Sequence, residues 1–340
     1  MLLRQLTEAF GPSGCEDEVR QLIAVAAKPY AKTMYTDVLG SLYVEMHSAA
    51  IGPKVMLCAH MDEVGLMIVH IEDNGLLKFR PVGGIDPRIL VSKVVTVGPN
   101  RIPGVIGAKA IHLQTPDERK KPLPIDQLYI DIGAKHKEEA EKHVHIGDYA
   151  VFATMFKELE EGRFCAKAFD DRVGCSVLLE VMKRCPDIPV TFAFTVQEEI
   201  GLRGAGPAAY RIQPDIALVI EGTICFDVIG APPHGQATIL GAGPAISVMD
   251  NASMANRSFL RFMKKTAETY QIPHQMRRAT GGGNDAGAIH LAREGILTGS
   301  LSVPTRYIHA PAQIICREDV EHTVELTAKI LDELAKGGNP

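Results

Sequence analysis

Val55-Met56-Leu57-Cys58-Ala59-His60-Met61-Asp62-Glu63 sets five consecutive apolar residues directly against a histidine and two carboxylates. A short apolar run without alternation marks a strand buried on both faces, as the interior of an α/β sheet requires. Polar residues at its carboxyl end stand where open α/β sheets bind ligands. Outward from this stretch, Val190–Val196, Ile216–Ile220 and Leu297–Val303 read as strands. Arg172–Arg184, Leu202–Tyr210, Ser258–Tyr270, Asp285–Arg293 and Asp319–Leu334 read as helices. Strand–helix alternation of this kind implies an α/β sheet covered by helices on both faces. Toward the N-terminus, Cys15–Lys28 reads as a helix with Glu16, Asp17 and Glu18 at its positive end. Thr36–Met46 reads as a hairpin turning near Leu39-Gly40.

Between about Ile68 and Glu161 the texture differs. Val64–Ile71, Leu76–Phe79, Val91–Val97, Gly104–Ala108, Tyr129–Ile132 and Tyr149–Ala153 are short β-rich pieces separated by turn residues. Only Lys135–His143 looks helical there, and Thr115–Pro124 reads as an exposed loop. The pattern predicts a small β-barrel or sandwich inserted into the larger domain. It holds no obvious catalytic residue and is expected to serve subunit assembly and access to the site.

The chain has 340 residues, 46% hydrophobic and 23% charged, with a net charge of −5. That supports a sizeable core and suggests two domains. A mild acidic balance offers no footprint for nucleic acid or an anionic membrane. No apolar run approaches the ~18–20 residues of a membrane span. The opening Met1-Leu2-Leu3-Arg4-Gln5 lacks a signal peptide's apolar stretch. Seven cysteines without a Cys-x-x-Cys pair argue against a disulfide framework or structural zinc knot. The expectation is a cytoplasmic protein whose metals, if any, are held by His, Asp and Glu.

Five polar clusters share one placement, at strand ends or strand–helix junctions: His60 with Asp62, Asp170-Asp171-Arg172, Glu198-Glu199, Glu221, and His309. Each alone has an ordinary explanation. His-x-Asp is usually a surface turn, Asp-Asp before a helix an N-cap, and Glu-Glu a solvated pair. Five coincidences at one edge of one sheet are another matter. Two metal ions roughly 3.5–4 Å apart need a bridging carboxylate and one or two further His or carboxylate ligands each. Two histidines and three carboxylates would suffice, leaving Asp62 and one Glu for other roles.

His60-Met61-Asp62-Glu63-Val64-Gly65, Ala168-Phe169-Asp170-Asp171-Arg172-Val173-Gly174, Gln197-Glu198-Glu199-Ile200-Gly201 and Arg306-Tyr307-Ile308-His309 occur in order. Together they resemble the motifs of the glutamyl aminopeptidase family, which includes the tetrahedral (TET) aminopeptidases, over essentially the whole chain. The resemblance implies a mixed sheet sandwiched by helices, formed by residues 1–67 and 164–340, with residues 68–163 as an inserted β-barrel-like oligomerisation domain. It implies a metallo-aminopeptidase that removes the N-terminal residue of short peptides. Two divalent ions per subunit are implied, zinc or cobalt first and manganese next. On this resemblance His60, Asp170 and Glu221 would hold one ion and Asp170, Glu199 and His309 the other, with Asp170 bridging. Glu198 resembles the general base that activates the bridging water, and Asp62 the carboxylate that orients His60. A homo-oligomer, such as a dodecamer built from dimers, is implied too.

The sequence departs from a common family pattern at Glu221, where many relatives carry Asp, and at Asn284, where Thr is frequent. Asn284 reads equally as a helix N-cap and as part of a substrate pocket. One rival is a glycoside hydrolase, since some relatives carry an endoglucanase label. That chemistry needs two carboxylates roughly 5–9.5 Å apart flanking a sugar bond, without metals. It would leave His60 and His309 idle, and the chain has no tryptophan for sugar stacking. A related dimetal deacylase and a non-catalytic binding protein complete the alternatives. His234 is a candidate for the pocket, His290 reads as packed, and Cys58 and Cys175 read as small buried hydrophobes.

Overall fold

The computed structural model describes residues 2–47 and 49–340. Its strands, in chain order, are β1 (Thr33–Thr36), β2 (Leu42–Met46), β3 (Val55–His60), β4 (Gly65–Ile71), β5 (Leu77–Val82), β6 (Val94–Val97), β7 (Ile102–Gly107), β8 (Tyr129–Asp131) and β9 (Tyr149–Phe152). There follow β10 (Lys157–Glu158), β11 (Arg163–Ala166), β12 (Val190–Thr195), β13 (Ile216–Ile224), β14 (Ala245–Ile246), β15 (Gln275–Met276), β16 (Leu297–Arg306) and β17 (Gln313–Cys316). The helices are α1 (Leu2–Glu8), α2 (Asp17–Ala27), α3 (Lys137–Ala140), α4 (Phe169–Met182), α5 (Ala205–Ile212), α6 (Arg257–Thr269), α7 (Ala286–Ile289) and α8 (Arg317–Ala335).

Among the described residues eleven strands make one mixed sheet, ordered β1-β2-β12-β3-β13-β16-β17-β11-β10 with β14 and β15 branching from β16. Its centre, β12, β3, β13 and β16, is parallel. The period-2 alternation of these strands decides which helices each face accepts. Val55 and Leu57, Phe192 and Phe194, and Leu218 and Ile220 point to one face. There they pack against Val173, Val177 and Val181 of α4 and Ile330, Leu331 and Leu334 of α8. The other face carries small residues, Cys58, Ala193 and Ala217, and α5 lies on it through Ala205, Ala208 and Ala209. Tyr43, Met56 and Val219 share this second face, and the alanines of α5 are what let that short helix lie against it. The helix-covered α/β architecture matches the expectation from sequence.

The β-rich stretch closes on itself as a six-stranded antiparallel barrel, β4-β5-β8-β7-β6-β9. Leu66, Ile68, Phe79, Val95, Val97, Ile130 and Phe152 fill its own separate core. The barrel strands run from Gly65 to Phe152, while β10 and β11 join the main sheet through β17.

Several elements depart from the sequence reading. The helix expected over Lys135–His143 shrinks to the four residues of α3. That expected over Asp285–Arg293 stops at Ile289, and the chain goes on through turns with positive φ at Arg293 and Gly295. The strand expected to end at Ile220 continues to Ile224, so Glu221 lies within β13 rather than after it. Its position at the sheet edge survives for a different reason. Val219 pairs with Cys58, which puts Glu221 level with His60, where β3 ends.

Candidate active site

Four parallel strands and one helix deliver the site. His60 is the last residue of β3 and is 1% exposed. Its Nδ1 donates to the Asp62 carbonyl at 3.1 Å, which leaves Nε2 facing a group of acids. Nε2 lies 3.2 Å from Asp170 Oδ1, 3.6 Å from Glu221 Oε2 and 3.9 Å from Glu198 Oε2. Asp170 enters from the start of α4, where it and Asp171 keep non-helical backbone before the regular helix begins. Its other oxygen, Oδ2, sits 3.3 Å from His309 Nε2. Each Asp170 oxygen therefore faces a different imidazole. Glu199 Oε2 lies 3.1 Å from the same His309 nitrogen.

Asp62 organises the strand end from below. Its fully buried carboxylate accepts the Ser13 hydroxyl at 2.6 Å and the backbone N–H groups of Glu198 and Glu199 at 3.0 and 3.1 Å. His60 Nδ1 stands 3.3 Å from its Oδ1. Burial alone would raise the Asp62 carboxyl, but hydrogen bonding to His60 and Ser13 outweighs it and holds it below its ordinary value.

The electrostatics are those of an acid-rich pocket. Burial pushes the carboxyls of Glu198, Glu199 and Asp171 above their usual range, and that of Glu221 to about 8, with neighbouring carboxylates adding to the effect. Asp170 goes the other way, because hydrogen bonds to His309 and His60 overcome its burial. His309 is pushed up to about 11: Glu199 and Asp170 outweigh the cost of burying it. Glu221 Oε1 is buried without a hydrogen-bond partner. An orphaned carboxylate oxygen beside other acids is costly unless a cation joins them. His60, Asp171 and Glu221, and likewise Asp170, Glu199 and His309, bring ligand atoms within 4.8 Å of one another. Nitrogen and carboxylate donors in such groups fit divalent zinc, cobalt or manganese.

The five residues expected as ligands converge, with Glu198 and Asp62 beside them. Sequence reasoning undervalued Asp171. Its carboxylate accepts the Gly174 N–H, as the expected helix N-cap would, and also the backbone N–H of His60, so the second Asp braces the strand end as well as capping the helix. The barrel, in which no catalytic residue was evident, contributes a backbone group to the site. His309 Nδ1 donates to the Gly84 carbonyl, just beyond β5, at 2.9 Å. Gly83 has φ +88°, and a Cβ there would come within 2.8 Å of Val64 and 3.3 Å of Glu199. The adjacent glycines were the available signal. Asp227, six residues past Glu221, turns away to pair with Arg306 at 2.7 Å.

A cavity of about 750 Å³ opens over these groups, walled by β13, the loop Asp250–Ala252 and the glycine loop Gly281–Gly283. Asn284 Oδ1 accepts the Ala286 N–H at the start of α7, from one position before the N-cap Asp285, and the residue lines the cavity. His290 donates to the Ala286 carbonyl, as a packed histidine would. His234 is absent from the cavity wall, although its neighbour Gly235 lines it.

Residues 40–326 match the family model of the M42 glutamyl aminopeptidases. The chain belongs to that family. The lysyl aminopeptidase of Pyrococcus furiosus is 33% identical, over 98% of this chain and 96% of its own. The glutamyl aminopeptidase of Lactococcus lactis is 30% identical over 93% and 91%. Among solved structures, a TET aminopeptidase from a Thaumarchaeota archaeon superposes with TM-score 0.95 at 36% identity, covering 99% and 98% of the two chains. The TET1 peptidase of Pyrococcus horikoshii, which assembles into a tetrahedron or an octahedral shell, gives 0.85 at 36% over 96% and 97%. A Thermotoga maritima protein named as an endoglucanase gives 0.82 at 35% over 99% of both chains. That label does not carry a glycosidase reading here. This M42 chain is a hydrolase of peptide bonds, of the aminopeptidase class, and a metal-binding role for its site is consistent with that family.

Proposed function

We propose that this chain removes the N-terminal residue of short peptides with two divalent ions held between the ends of β3, β12, β13 and β16 and the start of α4. The observation that carries the reading is Asp170, whose two oxygens face His60 and His309 separately. His60 and Glu221 would complete one ion's shell, Glu199 and His309 the other's. Both Asp171 oxygens are already taken by backbone N–H groups, which favours Asp170 over Asp171 as the shared ligand. When bound, such ions polarise the scissile carbonyl and neutralise the charge that develops there. Zinc or cobalt suits the two imidazoles best, with manganese next.

The chain's own groups supply the rest. Glu198 forms a group with His60 and Glu199 whose ligand atoms lie within 4.8 Å of one another. Its Oε2, 3.9 Å from His60 Nε2, makes the longest acid contact to that nitrogen, and burial holds its carboxyl high. It takes the proton of the attacking water and returns it to the leaving amine. Asp62 fixes the Glu198 and Glu199 backbone and the tautomer of His60, the support that a ligating imidazole needs. A glycosidase would find no use for the two imidazoles converging on Asp170.

The barrel, with its separate core, is proposed as the assembly module of a homo-oligomer, the TET dodecamer being the model. Among the described residues no helix is long and apolar enough to cross a membrane. All seven cysteines are free thiols, which supports a reducing, cytoplasmic setting.

The deciding experiment assays aminoacyl p-nitroanilides, N-acetylated peptides and carboxymethylcellulose before and after chelation, with zinc, cobalt or manganese returned. Anilide hydrolysis lost on chelation and restored by metal is expected. Full activity in metal-free protein, or hydrolysis of cellulose alone, overturns the reading.

A further inference from the structure

The turn after β12 carries both Glu198 and Glu199, and two buried acids anchor its backbone. The N–H groups of Glu198 and Glu199 donate to Asp62 at 3.0 and 3.1 Å. The N–H before them, that of Gln197, donates to Oε1 of Glu16 at 3.2 Å. Gln197 itself has φ +58°, a left-handed conformation uncommon outside glycine. Bonds within the turn set its shape: the Arg203 N–H donates to the Gln197 carbonyl, and the Gly201 and Leu202 N–H groups to that of Glu198. Glu16 and Asp62 set where the turn stands against the rest of the molecule.

Glu16 occupies the N-cap position of α2, yet its side chain makes no capping bond to that helix. A carboxylate there ordinarily accepts the N–H two or three residues on. This one is folded inward instead, 4% exposed, and its Oε1 also accepts the Gly14 N–H at 2.7 Å. Burial beside Asp62 pushes the carboxyl up to about 7, a cost that a solvated cap would avoid. The segment that delivers it, Gly11-Pro12-Ser13-Gly14, is fastened on three sides. Arg172 of α4 and the Glu63 N–H both donate to the Gly11 carbonyl, each at 3.0 Å. The Ser13 hydroxyl donates to Asp62. Gly14 has φ +88°, and a Cβ there would come within 2.9 Å of the Tyr149 hydroxyl on the barrel.

We propose that Glu16 is a positioning residue for the reaction: through the Gln197 N–H it holds the turn where the Glu198 carboxylate meets the attacking water. The inference rests on the reading of Glu198 as the proton acceptor. Glu16 does not line the cavity, so it acts on the turn and leaves the peptide alone. What it supplies is an acceptor oxygen at the right reach, not a charge. Glutamine keeps that oxygen. Aspartate keeps the charge but draws it back by one methylene.

The test measures kcat, KM and bound metal on an aminoacyl p-nitroanilide for the metal-loaded enzyme, Glu16→Ala, Glu16→Gln and Glu16→Asp. A catalytic group misplaced by ~1 Å can lose ~10²-fold, so kcat in Glu16→Ala should fall about 10- to 100-fold. KM and metal content should stay as they are. Glu16→Gln should regain nearly all of kcat, and Glu16→Asp should not. In a Glu198→Gln background Glu16→Ala should cost less than about twofold, because the group it positions is already disabled. A merely structural role would cost the same in both backgrounds. That equality, full kcat in Glu16→Ala, or rescue by Asp alone overturns the proposal. So does metal lost in step with kcat, which assigns Glu16 to holding Glu199. Where Glu16→Ala fails to fold, the contrast between Gln and Asp decides. A fully active Glu198→Gln enzyme overturns the underlying reading of Glu198 instead.

Discussion

The backbone N–H of Glu198 donates to the carboxylate of Asp62 at 3.0 Å, tying the proposed proton acceptor to the loop that orients His60. Replacing Asp62 with Ala strands the Ser13 hydroxyl and two backbone N–H groups in a buried space. Loss of an outer-shell partner of this kind costs about 10–100-fold in metal affinity or activity. Metal titration and kcat should fall together in Asp62→Ala. Unchanged values of both would show that Asp62 only packs.

Glu198→Gln separates proton transfer from metal binding. The amide keeps the size of the side chain but cannot accept the proton, so turnover should drop by ~10²–10⁴. Elemental analysis should find the metal content of the unmodified protein. A variant depleted of metal would make Glu198 a ligand.

Glu221 and Asp227 are expected to part company. Glu221→Gln should reduce metal stoichiometry, since its carboxylate lies in the group with His60. Asp227→Asn should keep the metals and lower thermal stability, because Asp227 holds Arg306 and the Leu240 N–H. Metal lost from the Asp227 variant alone would reverse the assignment. Glu221→Asp should retain metal and activity.

Glu16 gives a pH test. Its carboxyl, buried beside Asp62, is pushed up to about 7 from an ordinary 4.5. The folded protein therefore keeps a proton that the unfolded chain releases between those values. This group's contribution to stability is complete below pH ~4.5 and lost as pH rises through 7. Glu16→Gln removes the loss, so in chelator its stability relative to the unmodified protein should improve by about 3 kcal/mol from pH 4.5 to 8. Parallel denaturation curves across that range would count against it.

Replacing the barrel, Gly65 to Phe152, with a short linker should yield smaller particles by light scattering. Activity should fall as well, since the Gly84 carbonyl that holds His309 goes with it. A folded truncation with unchanged particle mass would remove the barrel from assembly.

The main sheet was legible because β3 and β12 are buried on both faces and their apolar runs say so. His60, Asp170, Glu199 and His309 could be found because each sits at a strand end or a strand–helix junction. Other features were hidden for physical reasons. The Gly84 carbonyl is a backbone group, and its pairing with His309 spans 225 positions. Glu221 looked like the residue after a strand, since nothing in Gly222-Thr223-Ile224 announces that β16 continues to pair with β13 there.

The level alignment of Glu221 with His60 has a consequence for how the protein lasts. The donors come from positions as far apart as His60 and His309, and no short segment of the unfolded chain brings a comparable set together. An ion captured by the finished sheet therefore gives nearly all of its binding free energy to the native state. Resistance to heat and proteolysis should rise logarithmically with free divalent metal. A cell starved of the ion would hold a shorter-lived polypeptide, and the protein's turnover would register metal supply even where no peptide is being cut.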